Sequence, residues 1–183
     1  MKTIYYTASS LDGYIADKNN SLDWLFQFGE PEDNYFSDLM ANIGALTMGA
    51  NTFEWMLNHQ IQLDAAEAEP WPYTQPAWVF TTREFPGIPG ANIQFVKGDV
   101  LPVHQRMSEM AGGKNIWIMG GGDLAGQFLD RGLIDEIKIS IAPVTLGGGA
   151  PVLPRIVSKP PLKLISAKAF GDAFIDLHYA VQR

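Results

Sequence analysis

Apolar positions along the chain follow continuous or helical spacing for its first two thirds and strict alternation thereafter. At the N-terminus, KTIYYTAS is a short aromatic and β-branched run, as in a strand, and the Gly, Asp and Asn of SLDGYIADKNNSLDW predict a long irregular loop after it. In PEDNYFSDLM, Tyr35, Phe36, Leu39 and Met40 form a helical apolar stripe behind Pro31, a good first helical residue, with Glu32 and Asp33 favourable to the helix dipole. IGALTMG reads as a buried strand and ANTFEWML as a helix beginning at the glycine, which makes a first β-to-α junction. NHQIQLDAAEAEPWPYTQ has no clean period and carries Pro70 and Pro72, so a surface excursion is expected, with Trp71 and Tyr73 available to cover a neighbouring element. PAWVFTT and ANIQFVKG predict two more strands, and DVLPVHQRMSEMAGG a helix with Val103, Met107 and Met110 on its apolar side. NIWIMG then runs into a helix expected from Asp123 to Arg131, burying Leu124, Phe128 and Leu129 and stopping at Gly132, where a left-handed C-cap is wanted.

After Gly132 the period becomes two. DEIKISIAPV alternates Ile137, Ile139 and Ile141 against Glu136, Lys138 and Ser140, predicting a strand with one wet face. PLKLISAKAF and DAFIDLHYAV behave similarly, and the Gly171-Asp172 pair between them is a hairpin signal. Continuous apolar strands early and alternating strands late predict an α/β fold with a mixed sheet, built from parallel βα units and closed by an antiparallel C-terminal ribbon.

Length and composition fit one compact domain, since 183 residues at 46% hydrophobic content can bury a sizeable core. Thirteen Lys and Arg against twenty Asp and Glu give a formal charge of -7, a field that disfavours nucleic acid and anionic membrane surfaces as partners. Without cysteine, disulfides, thiolate nucleophiles and Cys-based zinc sites are excluded, and no signal peptide or spanning segment is legible, so a cytoplasmic location is expected. His59, His104 and His178 are isolated from one another in sequence, and no hydrolase elbow or Walker loop occurs.

Three short motifs carry candidate chemistry. GGGDLA fits the loose dinucleotide pattern through Gly120, Gly122 and Ala125, directly after a strand and at the start of a helix, where backbone N–H groups attract phosphate. A tight turn without a ligand is the alternative. An ordinary Rossmann domain is disfavoured, because its fingerprint belongs to the first βα unit and no acid ends the strand that follows here. LTMGANTFEW repeats the strand, glycine and helix order, with Asn51 and Thr52 as side-chain donors in the first turn. In VFTTREF, Thr81, Thr82 and Arg83 stand just past a strand end, positioned for a terminal phosphate or simply solvated.

Together, TASSLDGYIA, LDWL, LTMGANTFE, VFTTREF and IWIMGGGDLAGQFLDRGLIDEIKISIAPVTLGGGAPVL resemble the dihydrofolate reductase superfamily, in the branch similar to the reductase domain of bacterial riboflavin biosynthesis. The resemblance covers nearly the whole chain. It implies one domain over residues 1–183, a three-layer αβα fold around a mixed, mostly parallel eight-stranded sheet, and NADPH as cofactor. Gly120, Gly121 and Gly122 would lie beside the cofactor diphosphate, with Asp123 and Leu124 opening the helix, and Gly49, Asn51 and Thr52 facing the same group. Thr81, Thr82 and Arg83 would lie near the adenosine ribose and its 2′-phosphate. Ala8 to Ala16 would line the nicotinamide and substrate pocket, with Asp12 and Gly13 at its turn and Trp24 on the flanking loop. The family often has Arg directly after MG, where this chain has Ala50; that loss removes a charge-assisted contact of about 1.5–3 kcal/mol and shifts the NADPH preference onto Arg83. Glu32 and Asp33, at a helix start, are candidate proton donors or plain dipole partners, and Asp12 is a competing donor. The implied activity is reduction of a small nitrogen heterocycle, pterin-like or ribosylaminopyrimidine-like, by a homodimer. A phosphorylated substrate would need cations, for which Lys18, Arg155 and Lys159 are the few candidates. A nucleotide-binding protein of the same fold with little catalysis is the alternative.

Overall fold

The computed structural model describes residues 1–29, 33–62 and 68–183. Its centre is an eight-stranded sheet in the order β5-β4-β3-β6-β1-β7-β10-β9. The strands are β1 (Thr3–Ser10), β3 (Ile43–Gly49), β4 (Ala77–Phe80), β5 (Ile93–Val96), β6 (Asn115–Gly120), β7 (Glu136–Ala142), β9 (Lys163–Phe170) and β10 (Phe174–Ala180). All pairings from β5 across to β7 are parallel, while β10 runs antiparallel to both β7 and β9. The mixed sheet with an antiparallel ribbon at its C-terminal edge is therefore as the hydrophobic pattern required.

The central strands are continuously apolar because both faces are covered. On one face, Trp78, Ile116 and Ile118 pack under α4 (Val100–Met110) and α5 (Gly122–Asp130), contacting Val103, Met107 and Phe128. On the other, Leu46, Met48, Val79 and Trp117 meet Phe53 of α3 (Ala50–Trp55) and the residues that follow it. Close approach fixes the β3 side of this packing: a methyl at Gly44 would lie 2.0 Å from the Ala111 carbonyl oxygen at the end of α4.

Several local expectations change. Helix α3 does not stop at Leu57 but continues as a π-helical segment, Met56–Ile61, that buries Leu57 and Ile61. Trp71 and Tyr73 do cover a neighbour: Tyr73 stands edge-on to both Trp71 and Trp117, closing the second cluster. Met110, expected on the apolar side of its helix, is exposed. The supposed wet face of β7 is not wet. Lying between β1 and β10, the strand buries Glu136 and Ser140, and Glu136 is compensated by Lys2 and His178 at 2.5 and 2.9 Å. Within the N-terminal loop, β2 (Tyr14–Ala16) pairs with β8 (Ala150–Pro151), and α1 (Asp23–Phe26) follows; neither strand nor helix had a sequence signal of its own. The remaining helix, α2, spans Asp33–Ala41 and sends Leu39 and Met40 into the second cluster, whereas Pro31 and Glu32 lie outside the described residues, as do the side chains of Tyr35 and Phe36. Gly132 is the expected left-handed stop of α5, with φ +66° and the Leu133 N–H bonded to the Phe128 carbonyl at 2.9 Å. No helix among the described residues is long and apolar enough to cross a membrane.

Candidate active site

Strands β3 and β6 are parallel neighbours, and their last residues are side by side, with Met48 opposite Gly120. Each leads at once into a helix, so the N-termini of α3 and α5 converge at the carboxyl edge of the sheet, where open α/β sheets bind ligands. Close packing and a positive φ favour glycine here, and backbone proximity requires it at Gly122. A Cβ on Gly120 would sit 3.0 Å from Thr52 Oγ1, Gly121 has φ +47°, and a Cβ on Gly122 would meet the Pro151 carbonyl oxygen at 2.1 Å. The first-turn N–H groups of α5 have no acceptor within the helix, which leaves them and the positive end of its dipole facing outwards.

Three hollows adjoin this edge. The first, about 310 Å³, is walled by Asn51, Thr52 and Trp55 of α3, the triplet Gly120, Gly121 and Gly122, Asp123, and Ile15 and Ala16 of the N-terminal loop. The second, about 320 Å³, is bounded by Ala50, Thr81, Thr82, Arg83, Leu124 and Lys97. Adjacent residues, Ala50 with Asn51 and Asp123 with Leu124, thus belong to neighbouring hollows. The third is larger, about 700 Å³, and predominantly aromatic, with Tyr6, Phe26, Phe28, Phe170 and Phe174 in its wall and Ala8 and Ser140 in its floor. Side chains of β1 alternate, so Thr7 faces the glycine hollow while Ala8 faces the aromatic one. Phe26 and Trp55 stack in parallel, centroids 5.3 Å apart, one from each hollow.

The expected cofactor residues therefore come together, with one division. Asn51, Thr52, Gly120, Gly121, Gly122 and Asp123 share the first hollow, whereas Thr81, Thr82, Arg83 and Leu124 share the second. Gly49 ends β3 as the N-cap of α3. Ala8 lies apart, in the aromatic hollow. Arg83 is not loose: it donates to Glu54 Oε2 and Asn51 Oδ1, both at 2.8 Å, and its guanidinium lies 5.1 Å from the Phe85 centroid. Arg83 and Asn51, expected at the 2′-phosphate and the diphosphate of one dinucleotide, are hydrogen-bonded to each other.

Asp12 borders none of the three hollows. Its carboxylate accepts from Ser10 Oγ at 2.6 Å and from the N–H groups of Leu146 and Gly147 at 3.0 and 2.8 Å. These bonds, the Ser10 hydroxyl first, hold its carboxyl below the ordinary aspartate value of 3.8. An ionised carboxylate with that many donors ties the turn at Gly13, φ +86°, to the loop after β7; it has no proton to give at neutral pH. Glu32 lies outside the described residues, and of Asp33 only the backbone, at the start of α2, is described.

Sequence reasoning missed Lys97, Trp55 and a polar chain in the aromatic floor. Lys97 had a usable signal, since it directly follows a parallel strand just as Arg83 nearly does, and parallel strands end at one edge. In the floor, Tyr6 Oη lies 3.2 Å from Ser140 Oγ, which donates to Asp176 Oδ1 at 2.5 Å. Ser140 was assigned to solvent by alternation; its true position follows from the register, in which Ala8, Ser140 and Asp176 share one row across three strands.

Comparison with known proteins agrees with this architecture. The model of the RibD C-terminal domain family matches residues 1–175. The Bacillus subtilis (strain 168) protein YwjB, described only as uncharacterized, is 32% identical over 178 residues, covering 97% of each chain. A crystal structure of a Shewanella sp. PV-4 protein named for riboflavin biosynthesis superposes with a TM-score of 0.77 at 31% identity, covering 100% of both chains. Dihydrofolate reductase from Enterococcus faecalis, in complex with NADP(H), shares the fold at a TM-score of 0.60 and 15% identity, over 98% of this chain and 95% of that one.

The Asp12 tether has a defined pH signature. Because its folded pKa is depressed, the tether is complete above the ordinary value of 3.8 and is lost only as the pH falls through the lower folded value. The amide resonances of Leu146 and Gly147 are expected to titrate below 3.8, and Asp12→Asn to abolish that titration; a midpoint above 3.8 contradicts the tether.

Proposed function

Because the chain belongs to the RibD C-terminal domain family, we propose that it is a nicotinamide-dependent reductase of a small nitrogen heterocycle, using NADPH. The observation that carries this reading is the convergence of three segments distant in sequence, residues 50–55, 81–83 and 120–124, on two adjoining hollows at one sheet edge. The first-turn N–H groups of α5 and the side chains of Asn51 and Thr52 suit a diphosphate. Thr81, Thr82, Arg83 and Lys97 suit an adenosine 2′-phosphate, with Lys97 compensating for Ala50. When bound, the nicotinamide supplies a hydride; the chain's own residues orient the acceptor and deliver a proton.

For the acceptor, the aromatic hollow beside Ala8 is the natural place. Its walls offer stacking surfaces, Phe28 and Phe174 edge to face at 5.1 Å, for a flat ring. Among the described residues that line it, none is Lys or Arg, and Asp172 is the charged one. Of the cations named for a phosphate, Arg155 is held by Asp123 and Asp130, and neither Lys18 nor Lys159 reaches this wall. A pterin-like ring without phosphate therefore fits better than a phosphoribosyl compound. Asp12 serves as a tether, so the proton-donor role passes to Glu32 and Asp33, which follow the Phe28 and Gly29 wall in the chain.

We also propose that the apolar positions left uncovered on the C-terminal ribbon, Leu164, Ile165 and Ile175, each about half exposed, pack against a second copy. Sedimentation at micromolar concentration is expected to give twice 20.2 kDa; a lone 20.2 kDa species contradicts the dimer.

The cofactor assignment is tested by melting and titration with NADPH and NADH separately. A ligand at about one hundred times its Kd stabilises by ~2.7 kcal/mol, a rise of several degrees in Tm. Lys97→Ala is expected to weaken NADPH binding by roughly tenfold to a hundredfold and leave NADH unchanged, since a charge-assisted contact is worth roughly 1.5–3 kcal/mol. If neither dinucleotide moves Tm, the assignment fails; binding with no turnover on pterin or pyrimidine substrates favours a non-catalytic nucleotide-binding protein.

A further inference from the structure

Arg155, next in the chain to Pro154 of the glycine hollow, is paired with two carboxylates of α5, one of which, Asp123, lines that hollow. The chain after β8 is laid along a groove on α5 made by two glycines one turn apart. A Cβ on Gly122 would meet the Pro151 and Val152 carbonyl oxygens at 2.1 and 2.6 Å, and one on Gly126 would meet Arg155 Cζ at 2.6 Å. Arg155 thus lies flat across Gly126. It reaches Asp130 Oδ2 through Nε at 2.8 Å and Asp123 Oδ1 through Nη1 and Nη2, both at 3.1 Å. Asp123 and Asp130 are two helical turns apart, and the guanidinium spans both. Asp123 Oδ2 accepts from Gln127 Nε2 at 2.9 Å, so both carboxylate oxygens are drawn back along the helix.

Asp123 occupies the first turn of α5, inside the hollow proposed for the diphosphate. A carboxylate there competes with any anionic ligand for the positive helix end and repels it directly. The hydrogen bonds of Gln127 and Arg155 keep Asp123 ionised, its pKa below the ordinary value, so protonation does not relieve the repulsion at neutral pH.

We propose that Arg155 is a positioning residue for the dinucleotide: by cancelling the charge of Asp123 and holding it away from the first turn, it keeps the α5 N-terminus attractive to a diphosphate. The proposal rests on the reading that this hollow takes a dinucleotide. It also explains a mid-helix glycine, since any side chain at 126 evicts the guanidinium from its seat. Because Arg155 lies four residues past the end of β8, and the Val152 N–H between them donates to the Gly13 carbonyl at 2.9 Å, the same segment connects α5 to the N-terminal loop.

The test is a double-mutant cycle on NADPH affinity, measured by calorimetric titration of the full chain. Arg155→Met keeps the aliphatic stem and removes the charge; it is expected to raise Kd about tenfold, an effect that shrinks at high ionic strength. Adding Asp123→Asn to that variant is expected to restore Kd to within about twofold of the wild type, which loss of a purely structural staple would not allow. Wild-type affinity in Arg155→Met, or no rescue by Asp123→Asn, overturns the proposal while leaving the cofactor assignment intact. Absence of NADPH and NADH binding in the wild type overturns both. Should Arg155→Met fail to fold, Asp123→Asn alone decides: unchanged or tighter binding supports the proposal, and weakening of more than about threefold overturns it.

Discussion

The proposed site depends on close packing around the turn from β6 into α5, against the Thr52 side chain on one side and the backbone after β8 on the other. Strands β3 and β6 end side by side, and the helices they feed begin within contact of each other, Gly120 against Thr52 at a distance where even a methyl group presses. On the other side of the same turn, Gly122 admits the Pro151 and Val152 carbonyls. The triplet Gly120, Gly121 and Gly122 is thus required three times over for different reasons: contact with α3, a positive φ, and contact with the chain after β8. The same close packing leaves the helix N–H groups uncovered and able to receive an anion.

That constraint also explains how the N-terminal loop is held. The turn at Gly13 has little core of its own, and its shape is imposed by Asp12 on the Leu146 and Gly147 amides, by the β2 and β8 pairing, and by Val152 on the Gly13 carbonyl. A carboxylate that looks like an acid catalyst in the linear sequence is spent on this attachment. Arg155 extends the attachment to α5, so that the loop, the glycine turn and this helix are connected by polar contacts as well as by packing.

Much of this was legible before any coordinates, because the fold is carried by local patterns: apolar strands ending in glycine, helices starting there, and a late change of period. The converging residues at 49–52 and 120–124 were legible for the same reason, since parallel strands all end at one edge. Where alternation was read as one wet face, it failed at Glu136 and Ser140, which are buried with polar partners, Lys2 and Asp176 among them. The π-helical extension through Ile61 escaped notice because the acids and prolines after it mask the apolar positions that bury it. The row linking Ala8, Ser140 and Asp176 depends on strand order and register, which no local pattern encodes.

We propose that one dinucleotide lies across the ends of β3 and β6 with its nicotinamide towards the boundary between Thr7 and Ala8. A crystal structure with NADPH bound tests it most directly. Diphosphate oxygens are expected within hydrogen-bonding distance of the Gly122 and Asp123 N–H groups, the 2′-phosphate beside Thr82, Arg83 and Lys97, and the nicotinamide ring facing the aromatic hollow of Phe28 and Phe174. A dinucleotide bound elsewhere, or a diphosphate that leaves the glycine turn unoccupied, would contradict it.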